Sequence, residues 1–334
     1  MGSFRFLLAF AVLLSNAGLM IWDYNQGVIA VISFFLISGY VMTILINEHY
    51  STPGRATAFY LDRGARLIPQ YILYFIATQL LISTTQVYSP FIGDCDTFKL
   101  GLNAAILPLN LFQFDALDLK RCMLFPQGWS LALEICFYLV APFVVRNDTL
   151  ARVAAAGSIG FFLVAYLGGV NTDTYGYRLL PGTLFIFLAG ASLADKNLLG
   201  RLFPWSVWTG AITLFSILQF DYNLLSASYN KEVLLGLIVG IPAVYFLRTI
   251  KNSAYDALLG NLSYAIFLNH FFCMWFVQFV LKIEPSRIEY LLLLVALSTT
   301  LAGFSYAIVE RPALHWRRAF RYSSAGTPAA ACAE

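Results

Sequence analysis

About ten apolar stretches, each near the length of helix needed to cross a bilayer, take up most of this chain. Crossing about 30 Å of hydrocarbon takes about 20 helical residues. The balance of residues agrees: 59% are hydrophobic, 12% are charged and the mean hydropathy is +0.71, too little polar surface to coat a soluble globule. The fold class that follows is all-α, a polytopic transmembrane helical bundle.

Pro, Gly, charge and aromatic punctuation place the spans at 4–22, 27–46, 67–84, 129–146, 151–168, 178–194, 205–222, 232–248, 262–281 and 289–309. With the N-terminus inside, one side collects about fourteen Lys and Arg residues, from Arg5, Arg55, Arg63 and Arg66 to Arg311 and Arg321. The other side collects about seven, three of them (Lys99, Lys120 and Arg121) in one loop. This asymmetry predicts that both termini face the cytoplasm. The net charge of +3 hides it and gives no support to a nucleic-acid partner. The first stretch is long for a signal peptide, lacks a small-x-small cleavage site and leads at once into a second span, so it reads as half of a helical hairpin.

The only sizeable extramembrane region, about 85–127, contains an apolar run from Leu100 to Phe114 and is expected to be re-entrant or interfacial. Cys95 and Cys122 both fall in it and can pair in an oxidising compartment, whereas Cys136 and Cys273 read as packing residues at lipid depth. The five cysteines are too scattered for a metal cluster, and no metal is expected. No repeat is evident. The domain reading is therefore a membrane-embedded unit over 1–316 followed by a basic, disordered cytoplasmic tail over 317–334.

Polar side chains at bilayer depth are the candidates for function. Glu134 lies in the apolar stretch Trp129-Ser-Leu-Ala-Leu-Glu134, where an ionisable group costs roughly 2.5 kcal/mol or more and faces a bundle interior or a wet cavity. Asn16 stands roughly 16 Å along the first helix from Arg5, at a depth similar to that of Glu134, so the two can line one cavity. His270 falls near mid-membrane in the ninth span and is a candidate proton carrier. Arg63 and Arg66 share a helix face if the third helix has already begun, and paired guanidiniums grip phosphates. Each has a plainer alternative. Glu134 can satisfy a neighbouring Trp, Tyr or Arg; His270 can bond Ser263, Tyr264 or Asn269; and the arginines can be an ordinary basic collar. Glu310 and Arg311 read as a structural ion pair. Trp22, Tyr24, Trp129 and Trp205 read as interfacial anchors.

Taken together, five segments in order resemble the acyltransferase-3 family of polytopic bacterial membrane enzymes. They are Ile32-Ser-Phe-Phe-Leu-Ile-Ser-Gly-Tyr40; Arg63-x-x-Arg66; Trp129-Ser-Leu-x-x-Glu134 with Phe137-Tyr138; Leu259-Gly-Asn-Leu-Ser-Tyr264 to His270; and Val309-Glu-Arg-Pro312. The resemblance implies a bacterial inner-membrane O-acyltransferase. Acyl-CoA, by default acetyl-CoA, is its donor and a cell-surface or lipid-linked glycan its acceptor, with membrane lipids around it. It implies a catalytic site at Asn16, Glu134 and His270, and donor phosphates held by Arg5, Arg63, Arg66 and Arg311. One departure matters: the family carries a histidine where this chain has Asn16. A carboxamide cannot take a proton near neutral pH, so activity is expected to be reduced or absent unless Glu134 or His270 supplies the proton chemistry or the chain works by positioning alone. Ser38 can be argued as a nucleophile, but a Ser-Gly pair at a helix end is more often a packing contact. Two other readings stay open: a proton-coupled secondary transporter, and a catalytically dead scaffold that binds acyl-CoA or glycan.

Overall fold

A computed structural model of the chain describes residues 1–314 apart from 53 and 252. Among the described residues, twelve α-helices carry the fold. The first six are α1 (Gly2–Asn16), α2 (Gln26–His49), α3 (Ala56–Thr84), the short α4 (Thr97–Ala104), α5 (Gly128–Val144) and α6 (Asp148–Tyr166). The rest are α7 (Leu180–Ala194), α8 (Phe203–Leu218), the short α9 (Tyr222–Ser226), α10 (Asn230–Leu247), α11 (Ala254–Trp275) and α12 (Ile288–Ser305). Wider π turns extend α7 backwards over Thr172–Arg178, α11 forwards over Phe276–Val280 and α12 forwards over Tyr306–Glu310. Seven helical stretches are long and apolar enough to cross a membrane, and α1, α5 and α8 are shorter apolar helices. The ten correspond in order to the expected spans, and the chain is a multi-pass membrane protein. The tail expected over 317–334 lies outside the described residues.

Alternate connections gather at opposite ends of the bundle. At one end Arg146 donates to the carbonyl of Tyr50, Asn47 Nδ2 reaches Asp195 at 3.3 Å and Arg248 Nη1 reaches Leu193 O at 2.8 Å. We call this the basic end. At the other, Lys231 Nζ meets Asp23 O at 3.0 Å and Asn110 Nδ2 meets Arg178 O at 2.7 Å.

Two boundaries differ from expectation for identifiable reasons. α1 stops at Asn16, well short of residue 22, because Gly18 takes φ +90° and turns the chain out of the helix. The apolar residues beyond it are exposed, Trp22 by 88%. α3 starts at Ala56, well before 67: its charged first turns are helical and pack inward, burying Asp62 and Arg63, and the helix continues through Pro69. A hydropathy window cannot see a helix whose polar groups are paired inside the protein.

The loop after α3 folds as a cap rather than a span. Cys95 and Cys122 are bridged across 27 residues, and buried Asn103 ties α4 to the returning strand of chain, donating to Cys122 O at 2.8 Å and accepting from Leu124 N at 3.0 Å. Tyr71 on α3 anchors the cap by donating to Asn103 O at 2.7 Å.

α2 is the central post, packed by α1, α5, α7 and α10. Two glycines allow its closest approach. A methyl group at Gly39 would strike the carbonyl of Phe187, and one at Gly190 would strike the carbonyl of Leu36, so α2 and α7 meet backbone to backbone. Phe187 then stacks on Phe35 at 4.7 Å and on Phe137 at 4.4 Å, which locks α5 to the pair. α1 and α11 run parallel and in register. The Asp256 carboxylate receives the backbone N–H groups of Gly2 and Ser3, each at 2.8 Å, at one end, and Asn16 meets His270 fourteen residues on in both helices.

Gly39→Val is expected to destabilise the protein by about 1–3 kcal/mol or more, read as a lower melting temperature in detergent. Gly157→Ala, where a methyl meets no atom within 4 Å, is expected to leave it unchanged. Reducing the Cys95–Cys122 bridge is expected to cost about 2–4 kcal/mol, seen by melting with and without reductant, with peptide mapping showing Cys136 and Cys273 as free thiols.

Candidate active site

Three cavities adjoin through the bundle. The first opens at the basic end, holds about 450 Å³, and is lined by Arg5, Tyr40, His49, Arg248 and Asn261 among others. The second is a narrow throat of about 50 Å³ around Arg5, Phe34, Ser130, Glu134 and Tyr264. The third holds about 290 Å³ toward the opposite end, among Asn16, Gln127, Trp129, Asp173 and Arg178. Arg5 lines both the first and the throat. Val31, Ser130 and Phe267 line both the throat and the third. Residues of α1, α2, α5 and α11 build the throat.

Glu134 accepts two hydrogen bonds on Oε1, from Ser38 Oγ and from Tyr138 OH, each at 2.6 Å. Tyr138 sits one helical turn on from Glu134, and Ser38 comes from α2, held there by the Gly39 contact. Among the described residues, nothing donates to Oε2, while the residue lines the throat. Ser38 is buried, lines none of the three cavities and spends its proton on Glu134, so its geometry is that of a group orienting the carboxylate.

Asn16 and Glu134, expected in one cavity, stand in adjoining ones. Asn16 Nδ2 lies 3.1 Å from Val12 O and 3.2 Å from Nε2 of His270, and His270 Nδ1 lies 2.8 Å from Phe267 O. A carbonyl can only accept, so Nδ1 carries the hydrogen and Nε2 of the neutral ring is a bare acceptor. The amide of Asn16 must then present its NH₂ to the ring, which leaves Oδ1 as its remaining polar atom. His270 is fully buried behind Asn16, whereas Asn16 lines the third cavity. The partners expected for His270 do other work. Asn269, for example, bonds Ser298 O at 2.9 Å.

Arg63 and Arg66 diverge although three residues apart. Arg63 pairs with buried Asp62. Arg66 pairs with Glu310, which the sequence placed with Arg311, and reaches Asn261 Oδ1 at 3.2 Å. Neither lines the three cavities, although Asn261 lines the first. Arg311 is exposed near the end of the described chain. The cations that do line the first cavity are Arg5 and Arg248, together with His49. In the sequence Arg248 marks only sidedness, because a cation ending an apolar helix looks like any other member of the basic collar. The same holds for Arg178, which lies 4.4 Å over the Trp129 ring and bonds Asp173 at 2.6 Å in the wall of the third cavity.

Known proteins resemble this chain over most of its length. The family described as "Acyltransferase domain" matches residues 3–309. The exopolysaccharide production protein ExoZ of Rhizobium meliloti is 26% identical over 318 residues, covering 90% of this chain and 94% of that protein. A "Putative O-acetyltransferase" of Staphylococcus aureus strain MRSA252 is 25% identical over 91% of this chain but only 57% of its own length. An uncharacterized Aquifex aeolicus protein is 31% identical over 194 residues, 55% of this chain and 86% of that one. No solved structure matches the chain. With its ten apolar helices and the family match running from end to end of the bundle, the chain belongs to the acyltransferase-3 family.

Proposed function

We propose that this protein is an acyl-CoA-dependent O-acyltransferase of a bacterial inner membrane. It takes an acyl group from the cytoplasmic side and delivers it to a hydroxyl of a cell-surface or lipid-linked glycan. The observation that carries this reading is the run of three adjoining cavities joined at Arg5 and at Val31, Ser130 and Phe267. A donor too polar to enter lipid can bind at the basic end, send only its acyl arm to the throat and meet an acceptor arriving from the other side. The names of the relatives in Rhizobium and Staphylococcus support an acyl donor and a polysaccharide acceptor. Membership of an acyltransferase family weighs against the transporter reading.

The donor's phosphates are held by Arg248 in the first cavity, because Arg63 and Arg66 are each neutralised by a carboxylate. Transfer joins the acceptor hydroxyl oxygen to the thioester carbonyl carbon as the carbon–sulfur bond breaks. The electron pair leaves on sulfur, and the hydroxyl proton ends on the thiol. Arg5, which lines the throat, favours the charge that develops on the carbonyl oxygen. Glu134, fixed by Ser38 and Tyr138, is the carboxylate nearest to that chemistry in the throat. Asn16 offers Oδ1 to the acceptor hydroxyl and orients it without taking its proton, so turnover is slow.

The test is acyl-CoA binding and turnover by the purified protein. Arg248→Ala is expected to weaken binding about tenfold, the loss of one charge-assisted contact, with only a small fall in melting temperature from the lost bond to Leu193 O. Asn16→His is expected to raise turnover by about 10²–10⁴-fold, the worth of a general base. Absence of acyl-CoA binding in every form would overturn the reading. Arg63→Ala is expected to act differently: it removes the guanidinium that pairs with buried Asp62 and lowers stability by about 3–5 kcal/mol, measured by thermal melting.

A further inference from the structure

The third cavity has a hydrogen-bond polarity that the proposed function does not use. Asn16 spends both amide hydrogens, on Val12 O and on Nε2 of His270. Gln127 spends its own on Phe267 O at 3.2 Å and Leu268 O at 2.9 Å. Ser130 donates to Gln127 O at 3.0 Å, and Ser15 donates to Asn25 Oδ1 at 2.7 Å. All four residues line the cavity, and each has only oxygen lone pairs left for a ligand. A hydroxyl, which can donate, finds partners on such a wall. An ionised carboxylate, which can only accept, does not.

The charges of the cavity also cancel. Asp173 and Arg178 both line it, and Arg178 Nε donates to Asp173 Oδ1 at 2.6 Å. Aromatic rings hold the guanidinium in place: it lies 4.4 Å from the Trp129 ring centre, 5.3 Å from that of Phe112 and 5.5 Å from that of Tyr177. Behind this wall Glu232, 4% exposed, and Lys231 form a second pair 3.9 Å apart, which leaves the balance unchanged. A fixed guanidinium beside a fixed carboxylate presents donors and acceptors together, the pattern that sugar hydroxyls match because each can give one hydrogen bond and accept another. Phe91 and Phe271, edge-on at 5.8 Å, add an apolar surface for the C–H face of a sugar ring.

Resting on the glycan-acceptor reading, we infer that the third cavity selects an uncharged, hydroxyl-rich sugar unit and rejects acidic sugars, with the Asp173–Arg178 pair as its specificity-determining element. The pair binds hydroxyls of the ring while the hydroxyl to be acylated reaches Asn16 Oδ1. An acidic sugar brings a carboxylate that must either draw Arg178 away from Asp173 or lie unpaired against oxygen atoms, and both are costly.

Binding tests this without depending on turnover. Full-length protein in lipid nanodiscs, free of glycoside detergent, is titrated by tryptophan fluorescence with the methyl glycosides of glucose, galactose and mannose and with the three matching methyl uronates. Acyl-CoA binding is measured on the same wild-type sample. At least one neutral glycoside is expected to bind, about tenfold or more tightly than its uronate. In Asp173→Asn, Arg178 loses its counter-charge, and that ratio is expected to fall to one or below. Thermal melting checks that the variant is folded; if it is not, the wild-type ratio alone decides. Equal binding of neutral glycosides and uronates by wild-type protein, or an unchanged ratio in folded Asp173→Asn, would overturn the selection. If acyl-CoA binds and no glycoside does, the inference falls while the donor reading stands. If neither binds, both fall together.

Discussion

The backbone contact between α2 and α7 is the constraint on which the rest of the site depends. Lipid offers no hydrophobic drive between helices, so association comes from close packing, and small residues permit it. Gly39 and Gly190 let each helix lie against a carbonyl of the other. That contact sets the height and rotation of α2. It thereby aims Ser38 at Glu134 and Phe34 and Phe35 at the throat, one turn of helix above the glycine. The stack of Phe35, Phe187 and Phe137 carries the same alignment into α5, where Glu134 resides.

A second alignment comes from the parallel pairing of α1 with α11. The Asp256 carboxylate neutralises the positive end of α1, and fourteen residues later the same register brings Asn16 against His270. Between these two points Arg5 faces both the first cavity and the throat. Among the described residues its buried Nε finds no hydrogen-bond partner, and neither does Oε1 of Gln127, whose residue lines the third cavity. Folding alone does not favour buried polar atoms left unsatisfied.

Much of the candidate site could be read from the chain, and its failures have physical causes. Glu134 announces itself because a carboxylate at bilayer depth is costly, and it does line a cavity. The equal depth of Asn16 and Glu134 follows from helix rise, but depth says nothing about rotation, and the two side chains enter adjoining cavities. Arg63 and Arg66 looked like one clamp because of their spacing. Their guanidiniums go to separate carboxylates, one adjacent in sequence and one at the far end of the described chain. Arg248 and Arg178 read only as markers of sidedness because nothing in their local sequence distinguishes a cavity-lining cation from an interfacial one.

By itself the sequence determined the number of apolar helices, their order and alternation, and the family motifs. Hydropathy, charge and spacing are properties of short segments that a bilayer reads locally. Tertiary structure alone decided which polar group meets which. Ser38 and Glu134 are 96 residues apart, Arg66 and Glu310 are 244 apart, and Asn16 and His270 are 254 apart. It also decided the width of the throat. That width is set by the rotation and closeness of four helices, which depend on packing across the whole bundle and not on any one stretch of chain.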